Sequence, residues 1–198
     1  MRHNINLTCA RYRLRPVTLE DAAFIVALRT DPLLNRFVHE TSPRVEDQVA
    51  WLEGYFERAG DYYFIVENAE SLEEQGTAGL YKVESGSAEW GRWILKRRSM
   101  AALESAWLIY QAAFSRLTLH ELCSRTLTDN HAVISFHDSF GASRIPGSRE
   151  GPIVRGQRSA VIEHRVTSAE WPALRDRHYS TITRFASRIP SHWPGVPA

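Results

Sequence analysis

Several side chains within residues 87–142 have the types and spacing to hold an anion and to move a proton beside it. Lys96, Arg97, Arg98 and Ser99 make a basic turn, and Met100, Ala101 and Ala102 lead from it into an apolar helical run. Amides in the first turn of a helix lack partners inside it, and the aligned peptide dipoles favour an anion such as a pyrophosphate there. A solvated basic turn has the same sequence. Glu89 and Glu104 are two candidates for a general base, Glu89 acting directly or through water, and Glu89 is preferred. Each also has a structural reading: Glu104 complements the helix dipole, and Glu89 is an outward strand residue. His137 can donate or relay a proton, because imidazole titrates near neutrality, or it is a histidine hydrogen-bonded at a helix surface. Asn130 is a helix cap, and its amide keeps further hydrogen-bonding capacity for a ligand. Arg29, Arg36 and His39 bring positive charge to one loop, where arginine would recognise a diphosphate. A polar loop with solvated arginines fits equally well. Trp51, Trp90 and Trp93 offer faces for a sugar or base, or simply core area.

These residues need elements to hold them. Tyr12 and Leu14 alternate with arginines, a short strand closed by Pro16. Thr18 and Asp21 mark a helix start, and Asp31-Pro32 its end. Ser42-Pro43 opens a second helix with Val45, Val49, Leu52 and Phe56 on its buried face. Residues 62–66 and 77–83 read as strands, with an acidic, solvated turn over 67–75 between them. Residues 84–87 make a hairpin turn into a third strand, 88–95. Gly91 within it marks a bulge or close approach, or relieves crowding between Trp90 and Trp93. The next helix is apolar on both faces, and residues 119–127 are again a strand. Strand, helix, strand implies a right-handed parallel crossover. Asn130 opens and Gly141 closes a helix lined by Val133, Phe136 and Phe140. Residues 160–166 form a late strand, Ser168 caps a short helix with Trp171, and residues 184–198 form an irregular tail. The core spans 12–172 of one domain covering 1–198.

Composition restricts the function classes. With 198 residues, 43% hydrophobic, 24% charged and a net charge of +1, the chain has no global basic bias toward nucleic acid or an anionic membrane. No apolar run reaches membrane length. Cys9 and Cys123 read as reduced thiols of a cytoplasmic protein. The eight histidines are scattered, without Cys-x-x-Cys or His-x-x-x-His pairs, so no metal is expected. No Gly-x-Ser-x-Gly is present, so direct attack on an activated substrate fits better than a covalent intermediate.

The pattern resembles the GNAT (GCN5-related) N-acetyltransferases, in the branch of ribosomal-protein and nucleotide-amino-sugar enzymes. Leu14-Arg15-Pro16, Arg29-Thr30-Asp31-Pro32 and Trp51-Leu52 carry the opening part. Trp90-Gly91-Arg92-Trp93-Ile94-Leu95, Ala102-Leu103-Glu104-Ser105, Phe136-His137-Asp138-Ser139-Phe140-Gly141-Ala142 and Glu163-His164 carry the rest. The resemblance implies an α/β (α+β) fold, a mixed, mostly antiparallel sheet flanked by helices, and acetyl-CoA as acyl donor. It implies that Trp93, Ile94 and Leu95 offer backbone groups to the pantetheine arm, one amide polarising the thioester carbonyl. It implies that Lys96 to Ala102, with Asn130 and His137, hold the rest of the coenzyme. His137 stands where many members have a tyrosine proton donor. The family's phosphate loop usually carries glycines; here Arg97-Arg98-Ser99-Met100-Ala101-Ala102 has none, so arginines replace glycines.

The expected activity is therefore acetyl transfer from acetyl-CoA to a small-molecule amine, a nucleotide-linked amino sugar being preferred. Protein N-termini or another small amine are the second acceptor class. A GNAT-like domain that only binds acyl-CoA, or serves as a scaffold, is the third reading. Neither nucleic acid nor membrane is an expected partner, and a homodimer is compatible with the chain.

Overall fold

Strand β3 (Tyr62–Asn68) explains the layout of the molecule. Its alternating side chains serve two cores. Phe64 and Val66 join one apolar cluster with Leu14, Trp90, Tyr110, Phe140 and Trp171, while Tyr63 and Ile65 join another with Val17, Ile25, Leu52 and Tyr55. A strand buried on both faces must be a continuous apolar run, as this one is. The computed structural model describes residues 2–147, 149–154 and 157–188.

Helices α1 (Ala22–Thr30) and α2 (Val45–Phe56) cover the Tyr63 face. Helix α3 (Ala102–Gln111) packs on the other face, and α5 (Trp171–Ala186) packs against α3. The sheet order is β1 (Leu7–Thr8), β2 (Tyr12–Pro16), β3, β4 (Glu74–Glu84), β5 (Ser87–Leu95), β6 (Glu121–Leu127), β9 (Gln157–Thr167), β7 (Ser143–Arg144). Strand β8 (Arg149–Val154) also pairs with β9. Only β5 and β6 are parallel among the described pairs, and α3 forms their crossover. Helix α4 (His131–Phe140) follows β6, with the Asn130 side chain accepting from the Val133 amide and Gly141 in the left-handed region at φ 99°.

Several sequence expectations are corrected. Helix α2 starts at Val45, two residues beyond Pro43, and buries Gln48, Leu52 and Tyr55 rather than Val45. Glu67 is not in a solvated turn: it ends a buried strand face and accepts from Arg13 and Arg15. After Gln111 the crossover helix widens into a π-type turn, Ala112–Arg116. The helix carrying Trp171 is long, not short, and runs through the start of the supposed irregular tail. Residues 189–198 of that tail lie outside the described residues.

Candidate active site

The site begins where β5 and β6 separate. They pair from Ser87 opposite Glu121 to Trp90 opposite Ser124, and no further. A bulge in β5 lies just beyond, between the pairs Gly79–Gly91 and Thr77–Ile94. Arg92 sits in it at φ 50°, a left-handed conformation that a non-glycine residue rarely holds without support. Two contacts support it. The Thr77 hydroxyl donates to the Arg92 carbonyl at 2.7 Å, and the Arg92 guanidinium makes a two-point ion pair with Asp61, one bond at 2.8 Å. The same guanidinium lies 5.3, 5.2 and 4.8 Å from the ring centres of Trp51, Tyr63 and Tyr81.

A cleft of about 1090 Å³ opens from this wedge. Its lining brings together Glu89, Trp93, Ile94, Leu95, Asn130 and His137 with Arg29 and His39. Arg29 also lines a second, adjoining cavity of about 510 Å³ with His39 and Thr41. Arg29 Nε donates to the Thr41 hydroxyl at 2.7 Å and Nη2 to the His39 carbonyl at 3.3 Å. No carboxylate partner for it is recorded among the described residues, and burial, with Arg92 nearby, disfavours its charge. An uncompensated, half-buried cation beside a cleft fits an anionic ligand group.

Glu89 is held by two consecutive residues of β4. Tyr81 Oη donates to its Oε1 at 3.0 Å and Lys82 Nζ to its Oε2 at 2.8 Å. Neighbours on a strand normally point to opposite faces. Here one extra residue in β4, with Lys82 at φ 54°, turns both toward Glu89. The hairpin at residues 84–87 was legible, but the bulge that selects Tyr81 as partner was not. Gly91 borders the β5 bulge, as its bulge-or-close-approach reading expects, and a Cβ there would stand 2.6 Å from Tyr81 Oη. It makes room for Tyr81 rather than separating Trp90 from Trp93.

His137 is buried, not at a helix surface, being 2% exposed. Its Nε2 is 3.3 Å from the Ser124 hydroxyl, and its ring stacks on His164 and meets Trp90 edge-on. Burial foremost, then the neighbouring His164, holds its pKa down to about 3. At neutral pH it is therefore an uncharged imidazole, rather than one that titrates near neutrality as expected. Glu104 is removed as a base: buried, it accepts from the Arg11 and Tyr12 amides at 2.7 and 2.8 Å. Arg36 lines neither cavity and lies over the Phe37 ring at 5.0 Å.

The basic loop stands apart from the cleft lining. Lys96, Arg97, Arg98, Ser99, Met100, Ala101 and Ala102 follow Leu95 without lining the cleft and end at the N-terminus of α3. Arg98 takes φ 64°, so the turn is made without glycine. Ala101, just before the first-turn amides of α3, is fully buried and packs in the core. Arg97 and Arg98 are exposed beside them. No cluster of three or more metal-ligating side chains occurs among the described residues, and no described helix is long and apolar enough to cross a membrane.

A family model described as an acetyltransferase (GNAT) domain matches residues 11–143. The chain belongs to the GNAT acetyltransferase family. It is an N-acetyltransferase with the family's fold, and the family's members use acetyl-CoA. No curated protein sequence matches the chain. Among solved structures, apo FdhC, described as a nucleotide-linked sugar GNAT, is similar at TM-score 0.76 and 28% identity, over 93% of this chain and 99% of that one. A GCN5-related N-acetyltransferase from Brucella melitensis gives 0.78 at 20% identity over 90% and 85%. A variant of the spermidine N-acetyltransferase SpeG from Vibrio cholerae gives 0.71 at 16% over 82% and 96%. These last two likenesses concern the fold alone.

The residues present fit acetyl-CoA. An edge at Trp93, Ile94 and Leu95 that does not pair with β6 leaves backbone groups for an extended arm, and the N-terminus of α3 with two exposed arginines before it suits a pyrophosphate.

Proposed function

We propose that this protein transfers the acetyl group of acetyl-CoA to the primary amine of a nucleotide-linked amino sugar, by direct attack. The observation that carries the acceptor class is Arg29, a half-buried guanidinium facing both cavities with no carboxylate partner recorded among the described residues. A diphosphate is a natural match for such a group. A polyamine acceptor would be repelled by it. The likeness to a nucleotide-linked sugar GNAT over nearly the full length points the same way.

In this reading acetyl-CoA supplies an activated acetyl group, and the chain's own residues do the rest. Lys96 to Ala102 and the start of α3 bind the coenzyme's phosphates, with Asn130 at the arm. An amide among Trp93, Ile94 and Leu95 polarises the carbonyl. Glu89, oriented by Tyr81 and Lys82, takes the amine's proton directly or through water. Arg29 and His39 hold the acceptor.

Thiol release from acetyl-CoA across a panel of nucleotide amino sugars, free amino sugars, peptides and polyamines tests the acceptor. Turnover confined to the nucleotide sugars is expected; turnover confined to peptides or polyamines would sink the reading. Arg29→Ala should raise the acceptor KM at least tenfold, the scale of a lost charge-assisted contact, and leave the acetyl-CoA KM alone.

A further inference from the structure

Ser124 is the last residue of β6 to pair with β5, so it stands at the apex of the wedge. It lines the cleft while only 4% exposed. The hydrogen bond recorded for its hydroxyl among the described residues is the one to His137 Nε2. His137 is fixed on every side. Its ring meets Trp90 edge-on at 5.2 Å and stacks on His164 at 5.0 Å. His164 Nε2 in turn donates to Asp138 Oδ1 at 3.1 Å, and Arg144 Nε donates to the same oxygen at 2.8 Å.

The hydrogen positions follow from this network. His137 Nδ1 is buried with no partner recorded among the described residues. An orphaned N–H is the more costly arrangement, so the ring hydrogen belongs on Nε2. Nε2–H then donates to the Ser124 oxygen. That leaves the serine's own hydrogen free to turn into the cleft that Ser124 lines.

We propose that Ser124 is a catalytic residue that hydrogen-bonds the leaving sulfur, and that His137 is the positioning residue that aims its hydroxyl. The proposal rests on the reading of acetyl-CoA as donor. In the transfer, the amine's new C–N bond replaces the acetyl C–S bond, and the bonding pair leaves on sulfur. Glu89 takes the proton from nitrogen and releases it to water. Ser124 keeps its hydrogen and stabilises the negative sulfur through it. Water then protonates the sulfur. An alkyl thiol titrates near 8.5, so near neutrality its anion needs a hydrogen bond more than it needs a strong acid. This also accounts for an uncharged histidine where a tyrosine donor is common.

The test uses CoA alone and needs no acceptor. Thiolate absorbance of enzyme-bound CoA is followed against pH with desulfo-CoA as blank, and calorimetry confirms binding. The bound thiol is expected to ionise about tenfold more readily in the wild type than in Ser124→Ala. Ser124→Thr, which keeps the hydroxyl, should titrate as the wild type does, and His137→Phe should fall between. Identical titrations in the wild type and Ser124→Ala, with CoA bound to both, overturn the proposal. Should Ser124→Ala not bind CoA, an unchanged titration in His137→Phe overturns it. If the wild type itself binds no CoA, the donor reading falls and this proposal with it. A failed acceptor panel leaves the titration unaffected.

Discussion

Glu89 is the residue on which the proposed chemistry turns, and its setting gives it a definite expected signature. Tyr81 and Lys82 fix both of its oxygens, so the carboxylate cannot swing away from the cleft. Glu89→Gln preserves size and most of the hydrogen bonding while removing the base. It should lower kcat by roughly a hundredfold or more, the usual scale for one acid–base group, with CoA affinity by calorimetry unchanged. A kcat within a factor of three of wild type would exclude Glu89 as the base. At this scale the sequence was partly readable. The residues it offered at the wedge, Glu89, Asn130 and His137, do converge. It could not show that Glu104 is consumed by two backbone amides, nor that Arg92, Tyr81 and Ser124 belong to the cleft. Those facts depend on two strand bulges and on where two strands stop pairing, and side-chain spacing along one strand does not encode them.

At the scale of elements, the β4–β5 hairpin is the part whose geometry the site needs most. Two bulges within a few residues aim Tyr81, Lys82 and Arg92, while Gly76 permits close approach of the strands and Gly91 leaves room for the Tyr81 side chain. A Cβ on Gly76 would fall 2.3 Å from the Ile94 carbonyl oxygen, a backbone atom that cannot step aside. At Gly91 the obstacle is one side-chain hydroxyl. The two glycines should therefore behave differently. Gly91→Ala is expected to destabilise the fold by about 1–3 kcal/mol, as overpacking does, and to impair turnover by displacing Tyr81 from Glu89. Adding Tyr81→Phe removes the obstructing oxygen and should return much of the stability in urea unfolding, giving a favourable coupling between the two changes. No such rescue is expected for Gly76→Ala. Simple additivity at Gly91 and Tyr81 would mean that the hydroxyl is not what the glycine accommodates. Helices and strands here were legible because periodicity and caps are local. The length of α5 was not, because it buries a sparse face of Trp171, Leu174, His178 and Ile182 that reads as polar.

For the whole molecule, the buried histidines tie stability to pH. His3, His137 and His178 all have pKa values lowered by burial. His137 is the extreme case, protonating near 6.5 when unfolded and at about 3 when folded. Between those values the unfolded chain binds a proton that the native state refuses. Acidification through this window thus pulls the equilibrium toward unfolding, and the stability present above pH 6.5 is lost progressively down to about 3. Burial raises the carboxyls of Glu74 and Glu104, so these two oppose the trend by favouring the folded state as they take up protons. The net slope therefore mixes signs, and a substitution is needed to isolate one group. His137→Phe keeps a flat ring between Trp90 and His164 and cannot be protonated. Its absolute stability can differ from wild type in either direction, since it also loses the Ser124 contact. The pH dependence is the diagnostic quantity. From pH 8 to pH 5 the wild type should lose about 2 kcal/mol more than His137→Phe does, the free energy of one proton bound only by the unfolded chain at pH 5. Urea unfolding at a series of pH values measures this directly. Parallel curves for the two proteins would show that the imidazole protonates as easily folded as unfolded. A histidine that titrates near neutrality would then be restored as the proton donor, in place of a neutral ring acting through Ser124.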